Sequence, residues 1–245
     1  MAFGIGPILA QPTSLVLSLD PGNSRCYSGT GSTLTDLSLA VSTVDRRGLE
    51  PAITLVNTPT YSSNNGGYFT FNGTSNYATA TNLTPSTVVS ISAWIYMADW
   101  TVATVGTFVS NADSDGTVRY QIGLNNASYS NSLGAIIKYS SGTLTVSYAK
   151  SSLTAGWHSV IVTFDGLNAR LYVDSVLVST SSTLSTSTPI DYSSVNTLGL
   201  GAKVSGGTIT EYIGCAIGPV NVHASTLTQA EITTYFGGLR SRYSI

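Results

Sequence analysis

Charged side chains are scarce in this chain: Asp, Glu, Lys and Arg make up only 9% of its 245 residues. Soluble domains usually carry about 25%. Ten basic residues stand against twelve acidic ones, and only Arg46 with Arg47 and Arg240 with Arg242 lie close together. Nucleic-acid binding needs clustered Lys and Arg that contact phosphates, so the composition argues against a nucleic-acid partner. The net charge of −2 is compatible with a weakly charged monomer and with a subunit that associates with other copies.

Cysteine and histidine are also rare. Cys26 and Cys215 are the two cysteines, far apart in the sequence, and His158 and His223 are the two histidines. A disulfide-stabilised small fold would need more cysteines at closer spacing. The pattern therefore favours two free, part-buried thiols, with one bridge between terminal strands as the alternative. Without a CxxC motif or a Cys/His cluster we expect no zinc site and no cofactor.

Long hydrophobic runs are missing. No run approaches 18 apolar residues, so we expect no membrane span and no membrane partner. The apolar N-terminal segment lacks a positively charged start and is a poor secretory signal. The length suits one all-β domain, and we divide the chain into an arm at residues 1–13 and a single domain at residues 14–245.

Ser and Thr make up more than a quarter of the chain, and apolar and polar residues alternate with period two. Such alternation, interrupted by turn signals every 8 to 12 residues, is typical of a sandwich or barrel. It predicts strands at residues 14–19, 53–56, 68–71, 77–81, 88–96, 104–110, 118–124, 133–139, 143–148, within 157–179, at 196–200 and within 209–223. Residues 24–50 are predicted to be a long loop with short extended pieces.

One helix is predicted near the end, at residues 228–236. Thr228 and Glu231 form a capping-box pattern, and Gly237-Gly238 is expected to end the helix. Trp94 and Trp157 lie within or beside strong strand patterns and are expected to be buried. Trp100 follows a loop and is expected to be more exposed.

The order of these elements resembles the concanavalin A-like, or laminin-G-like, jelly-roll family. The matching segments are YFTFNGTSNYATATN, VVSISAWIYM, GWHSVIVTFDGLNARLYVDSVLV, NTLGLGA and EYIGCAIGPVNVHASTLTQAEITTYFGGL, which cover nearly everything from Tyr68 onward. The resemblance implies an all-β fold, a two-sheet antiparallel jelly-roll sandwich with one short C-terminal helix. Ser175 stands where the family usually has Gly in a tight turn, so a looser hairpin is expected there.

Both ends of the chain are similar to stand-alone sandwich proteins of tailed bacteriophages. The opening segment is LVLSLDPGNSRCYSGTGSTLTDLS and the ending is GLRSRYSI. This resemblance implies a protein of the virion, made in the host bacterial cytoplasm. Its partners would be other virion proteins and copies of itself. Head, collar, tail and fibre all stay open as its position in the particle.

Paired carboxylates are not predicted. Some relatives of the fold are glycoside hydrolases, which need two carboxyl groups facing each other across a cleft. The chain has three glutamates, Glu50, Glu211 and Glu231, and they are widely separated. No predicted strand carries two acidic residues at positions i and i+2. We therefore expect no catalytic residues and no enzyme activity.

Four residues are candidates for a ligand or interface site: Trp100, Asp113, Asp115 and Tyr120. An exposed Trp100 could stack on a sugar or anchor an interface, and packing over the open end of the sandwich is the alternative. Residues 111–116 resemble the first half of a calcium loop, but the twelfth position, which needs a bidentate Glu, is Ile122. A polar hairpin loop without a metal is favoured.

Two functions fit these observations. The main interpretation is a non-enzymatic structural subunit of a bacteriophage virion, either a capsid decoration protein or a head- or tail-associated protein. The alternative is a carbohydrate-binding, lectin-like adhesin module on the phage particle, with surface glycans as partners. Fold analogy alone does not separate them, because the same scaffold hosts both.

The predicted arm carries Phe3, Ile5, Ile8 and Leu9 on a Gly-containing backbone too short to form its own core. Such a segment gains main-chain hydrogen bonds by adding to a neighbouring subunit. Deletion of residues 1–11 should therefore leave a folded domain that no longer joins the particle, measured as its occupancy in purified particles. Full occupancy of the truncated chain would contradict an anchoring role.

Overall fold

The computed structural model describes residues 14–38, 53–81, 87–182, 184–190 and 196–245. The predicted arm, with Phe3, Ile5, Ile8 and Leu9, lies outside the described residues. Within the described ranges there is no helix long and apolar enough to span a bilayer.

Two antiparallel eight-stranded sheets form the domain. Sheet A contains β1 (Leu15–Leu19), β4 (Thr60–Ser62), β5 (Tyr68–Asn72), β7 (Val89–Met97), β12 (Gly156–Phe164), β13 (Ala169–Val173), β14 (Val176–Ser181) and β18 (Gly214–His223). Sheet B contains β2 (Thr33–Leu34), β3 (Ile53–Val56), β6 (Tyr77–Thr81), β8 (Gly106–Asp113), β9 (Val118–Leu124), β10 (Ser132–Tyr139), β11 (Gly142–Ala149) and β15 (Asn196–Leu200). A small hairpin, β16 (Lys203–Ser205) and β17 (Thr208–Thr210), stands apart from both.

The strand order confirms the jelly-roll sandwich. Sheet A runs β14-β13-β12-β7-β18-β5-β4, with β1 also paired to β18, and sheet B runs β11-β10-β9-β8-β15-β6-β3-β2. The inward-facing side chains of the two sheets form one large core. In β7 the predicted alternation is observed: Val89, Ile91, Ala93 and Ile95 join this core, while Trp94 packs on the outer face.

Each predicted strand segment contains a strand, and two differences have local causes. The predicted segment 209–223 is interrupted before β18, where Glu211 adopts a positive φ of 52°. The short strands β2 and β4 had no alternation to reveal them, because two or three residues are too few for a period. Cys26 and Cys215 are free and both are buried.

The predicted helix forms as α1 (Gln229–Leu239), and its capping box is present: the Thr228 side chain accepts a hydrogen bond from the amide of Glu231. The expected stop at Gly237-Gly238 is wrong. The helix runs through both glycines and continues into a 3-10 turn at Arg240–Tyr243, here called the C-terminal turn. Tertiary contacts made by this turn offset the low helix propensity of glycine.

The hairpin between β13 and β14 is tight despite the serine at its turn. Asp174 and Ser175 have φ values of 49° and 67°, the pair of positive angles that a type I′ turn requires. The Asp174 carboxylate accepts a hydrogen bond from the amide of Ser159 at 2.9 Å and contacts Nδ1 of His158 at 2.6 Å. Gln229 of α1 donates to the carbonyl of Ser175 at 2.8 Å. These hydrogen bonds offset the cost of positive φ angles at residues other than glycine.

The two histidines have opposite environments. Burial alone would lower the pKa of His158, but its hydrogen bonds to Asp174 and to the carbonyl of Thr154 raise it above the ordinary value. His223 lies fully buried beneath α1, edge-on to Tyr235 at 6.0 Å, and neither ring nitrogen has a hydrogen-bond partner in the described structure. Burial lowers the pKa of His223 to about 4, against the attraction of Glu231.

His223 therefore predicts a loss of stability in mild acid. Between pH about 6.5 and about 4, His223 is protonated in the unfolded chain and neutral in the folded chain. The free energy of unfolding therefore falls as pH falls. The loss across this window is on the order of 3 kcal/mol. We expect His223→Leu to flatten the pH dependence, measured by urea unfolding at several pH values.

His158 supplies the matched control. Because its pKa is raised in the folded state, it contributes stability that is present at acid pH and is lost as pH rises through the folded pKa. His158→Gln should therefore steepen the acid-side fall, while His223→Leu reduces it. If both variants changed the slope in the same direction, burial of His223 would not be the cause of the acid-side loss of stability.

Candidate functional site

Trp100 does not present an exposed ring. Only 1% of its surface is accessible, so the expectation of a more exposed Trp100 is wrong, while Trp94 and Trp157 are buried as predicted. The Asp99 carboxylate accepts a hydrogen bond from the backbone amide of Thr101 at 2.7 Å. In this turn the indole ring packs on Phe108 and His158, at centroid distances of 5.8 and 5.5 Å. The ring is therefore part of the core between the two sheets.

The other three predicted candidates do not form a joint site. Asp113 and Tyr120 are fully buried, and the Asp113 carboxylate is engaged by the guanidinium of Arg119. Asp115 is exposed, and its carboxylate accepts a hydrogen bond from the backbone amide of Thr117 at 2.8 Å, as expected for a polar turn. No group of three potential metal-ligating side chains occurs in the described ranges.

A groove lies instead on the outer face of sheet A, above β18. This strand runs between β5 and β7, and its outward residues there are Gly214 and Ala216. In register, Ala216 lies opposite Thr70 of β5 on one side and Tyr96 of β7 on the other. Neighbouring strands are about 4.8 Å apart, so the backbones of β5 and β7 stand roughly 10 Å apart. Small side chains on the middle strand therefore leave a trough.

Three aromatic rings form the walls of this trough, here called the aromatic groove. Trp157 lies between Tyr68 and Tyr96, with ring centroids 5.3 and 5.6 Å away. Tyr96 is 38% exposed, whereas Trp157 is 7% exposed. Asn65 stands at the rim, and the groove encloses about 420 Å³. Its remaining lining residues are Phe71, Met97, Ala98 and Cys215.

Stacked aromatic rings hold the Trp157 wall from behind. Tyr243 of the C-terminal turn packs on Trp157 at 4.4 Å and on Trp94 at 4.3 Å. Phe236 of α1 lies parallel to Trp94 at 5.8 Å. Offset-stacked rings of this kind contribute about 0.5–1.5 kcal/mol per pair beyond their buried area. The helix and the C-terminal turn therefore fix the position of the groove wall.

Arg242 fixes the opposite rim. Its guanidinium donates to both carboxylate oxygens of Asp20 at 2.9 Å and also to the carbonyl of Gly66, next to Asn65. Gly22 packs so closely on Gly66 that a side chain at Gly22 would overlap the carbonyl of Gly66. One residue thus ties the opening turn, the rim loop and the C-terminal turn together.

Three acid–base groups outside the groove, His158, Glu211 and Glu231, are already engaged. Both ring nitrogens of His158 are hydrogen bonded, so the ring has no free position from which to take a proton. Burial would raise the pKa of Glu211, but Lys203 and Thr107 hold it below its ordinary value, so this carboxylate stays ionised. Glu231 is held in the cap of α1. This arrangement does not provide the protonated and ionised carboxyl pair of a glycosidase.

The sequence offered one usable signal for the groove. Tyr96 falls on the outer face of β7 by alternation, and a large aromatic at that position, facing away from the core, could have been singled out. Its partners Tyr68 and Trp157 are 28 and 61 residues away along the chain. Only the strand pairings bring these three rings together.

The family model of the concanavalin A-like lectin/glucanases superfamily (Laminin_G_3) matches residues 71–233. This range contains Tyr96, Trp157, Gly214 and Ala216 of the groove. The C-terminal turn and Tyr68 lie outside it. A comparison with curated proteins finds no match.

Solved structures share the fold at low sequence identity. The receptor binding domain of botulinum neurotoxin type G matches 91% of this chain with a TM-score of 0.63 and 16% identity, over 51% of its own length. The serotype D ligand binding domain, in complex with N-acetylneuraminic acid, matches 92% with a TM-score of 0.64 and 14% identity, over 51% of its length. The binding domain of botulinum neurotoxin DC, in complex with rat synaptotagmin II, matches 92% with a TM-score of 0.63 and 17% identity, over 52% of its length. This chain spans about half of each.

The contacts of Arg242 predict that it supports the groove wall. Arg242→Ala removes the bidentate pair with Asp20 and the bond to Gly66, so we expect a loss of about 1–2 kcal/mol in the free energy of unfolding. Acrylamide should quench the tryptophan fluorescence more strongly, because the stack on Trp157 and Trp94 loosens. Arg240→Ala, which removes an exposed cation over Phe236, is the control and should change neither quantity appreciably.

Proposed function

Because this chain belongs to the concanavalin A-like lectin/glucanases superfamily, we propose that it is a non-catalytic carbohydrate-binding module whose ligand lies in the aromatic groove. The observation that carries the proposal is the exposed ring of Tyr96 beside Trp157 and Tyr68, over a floor of Gly214 and Ala216. A sugar ring has an apolar face of C–H groups, and a large aromatic ring offers it a flat surface of low conformational entropy.

The polar groups of the groove suit hydroxyl-rich ligands. Asn65 at the rim carries both a carbonyl acceptor and an amide donor, and exposed Thr70 adds a hydroxyl on the bank of β5. An aromatic-lined cleft with a few polar groups is the usual form of a small-molecule site, and about 420 Å³ falls within the size range of such sites.

The structural relatives agree with a binding role. One neighbour was crystallised with N-acetylneuraminic acid, and for another, botulinum neurotoxin type C, cell entry depends on interaction with two ganglioside molecules. A binding function is thus supported by relatives of the same fold, while the engaged carboxylates Glu211 and Glu231 support the absence of hydrolysis. Together these observations favour an adhesin-type module over an enzyme.

Display on a bacteriophage particle is the second part of our proposal. It is supported by the phage-like opening and ending segments, which lie against each other through the Arg242–Asp20 pair. In this setting the module would be a virion subunit that contacts other virion proteins, and its groove would face surface glycans. The arm that would anchor it lies outside the described residues and stays a prediction.

Replacing Tyr96 tests the carbohydrate-binding proposal. On an immobilised panel of glycans, Tyr96→Ala should bind at least about tenfold more weakly than the unaltered protein, because it loses the exposed stacking surface. Tyr96→Phe keeps the ring and should retain most of the affinity.

Tyr148→Ala, on β11 at the edge of sheet B, is the matched control, since it removes a half-buried tyrosine far from the groove. Its binding should equal that of the unaltered protein. The proposal fails if no glycan on the panel is bound, or if binding is indifferent to Tyr96→Ala.

A further inference from the structure

The lining of the aromatic groove is uncharged. Its eleven described residues are aromatic, small, apolar or, at Asn65 and Thr70, neutral and polar. Arg242 bonds to the carbonyl beside Asn65, but its charge is engaged by both oxygens of Asp20. A carboxylate that loses its water in a site needs a cation or several N–H donors in return. The lining offers an acidic ligand one side-chain amide and one hydroxyl, and it holds no cation.

One end of the groove is closed. The trough above β18 continues past Ala216 to Gly218, but there Tyr243 fills it: a Cβ at Gly218 would lie 2.4 Å from the Tyr243 hydroxyl. Tyr243 is 4% exposed and is held between Trp94 and Trp157. A ligand chain therefore cannot continue along β18 in that direction.

The size of the groove agrees with a short ligand segment. About 420 Å³ lies near the lower end of the range for ligand sites, which suits a single sugar ring in contact with Tyr96. A long polysaccharide bound along its length would need the groove to be open at both ends, and Tyr243 closes one of them.

We propose that the aromatic groove binds the terminal, uncharged sugar unit of a glycan, with its apolar face on Tyr96 and its hydroxyl groups toward Asn65 and Thr70. This inference rests on the proposed carbohydrate-binding function and specifies its ligand class. It distinguishes the chain from its structural neighbour crystallised with N-acetylneuraminic acid, an acidic sugar.

Titration calorimetry with small probes tests the charge preference. The probes are the methyl glycosides of glucose, galactose and N-acetylglucosamine, together with N-acetylneuraminic acid. We expect at least one neutral glycoside to bind about tenfold or more tightly than N-acetylneuraminic acid, and Tyr96→Ala to abolish this binding. Thr70→Lys, which places a cation on the exposed bank, should raise the affinity for N-acetylneuraminic acid.

The length of the bound segment is tested with a series of oligosaccharides that end in the preferred neutral sugar. The affinity should level off after the first one or two units, because Tyr243 and open solvent leave nothing for further units to contact. An affinity that keeps rising up to the hexasaccharide would overturn recognition of the chain end.

The outcomes separate this inference from the proposed function. If N-acetylneuraminic acid binds more tightly than every neutral glycoside and Tyr96→Ala abolishes that binding, the carbohydrate-binding function stands and the preference for uncharged sugars is wrong. If none of the probes or oligosaccharides binds in a Tyr96-dependent way, the proposed function fails and this inference fails with it.

Discussion

The outer face of β18 is the constraint on which the rest of the structure depends. This strand lies between β7 and β5, and its outward positions Gly214, Ala216 and Gly218 carry almost no side chain. A sheet with bulky residues there would be flat and covered. With small residues it has a trough, which the chain's own C-terminal turn fills at one end through Tyr243 and leaves open at the other. The small outward residues of β18 therefore allow the C-terminal turn to dock and also create the groove to which we assign a function.

The C-terminal turn connects stability with binding. Tyr243 stacks on Trp157, the middle ring of the aromatic groove, and Arg242 bonds to the rim loop beside Asn65. Both banks of the groove are thus positioned by two adjacent residues that do not line it. Ligand sites whose walls are locked by surrounding packing lose less entropy on binding. In this protein that packing comes from the C-terminal turn.

Trp100 shows where reasoning from the sequence was wrong and why. Its position after a loop suggested exposure, but the turn held by Asp99 directs the indole ring onto Phe108 and His158. Asp113 and Tyr120 are buried for a related reason: Tyr120 joins the core between the two sheets, and the Asp113 carboxylate is engaged by Arg119. Burial at such positions depends on contacts with distant segments, and local composition carries little information about those contacts.

The sequence by itself determined the elements that depend on nearby residues. Alternation placed the core face of β7, and the Thr228–Glu231 pattern placed the start of α1, because both features act within a few residues. The end of α1 and the candidate site were decided by the tertiary structure alone. The helix runs through Gly237-Gly238 into a turn that packs on Trp94 and Trp157. The groove likewise exists only because antiparallel pairing sets Ala216 opposite both Thr70 and Tyr96, residues more than 100 positions away. Such pairings are specified by the whole core and not by any local pattern. The fold was predicted because the order of its elements resembles that of a known family, whereas the site depends on which side chains the pairings bring together.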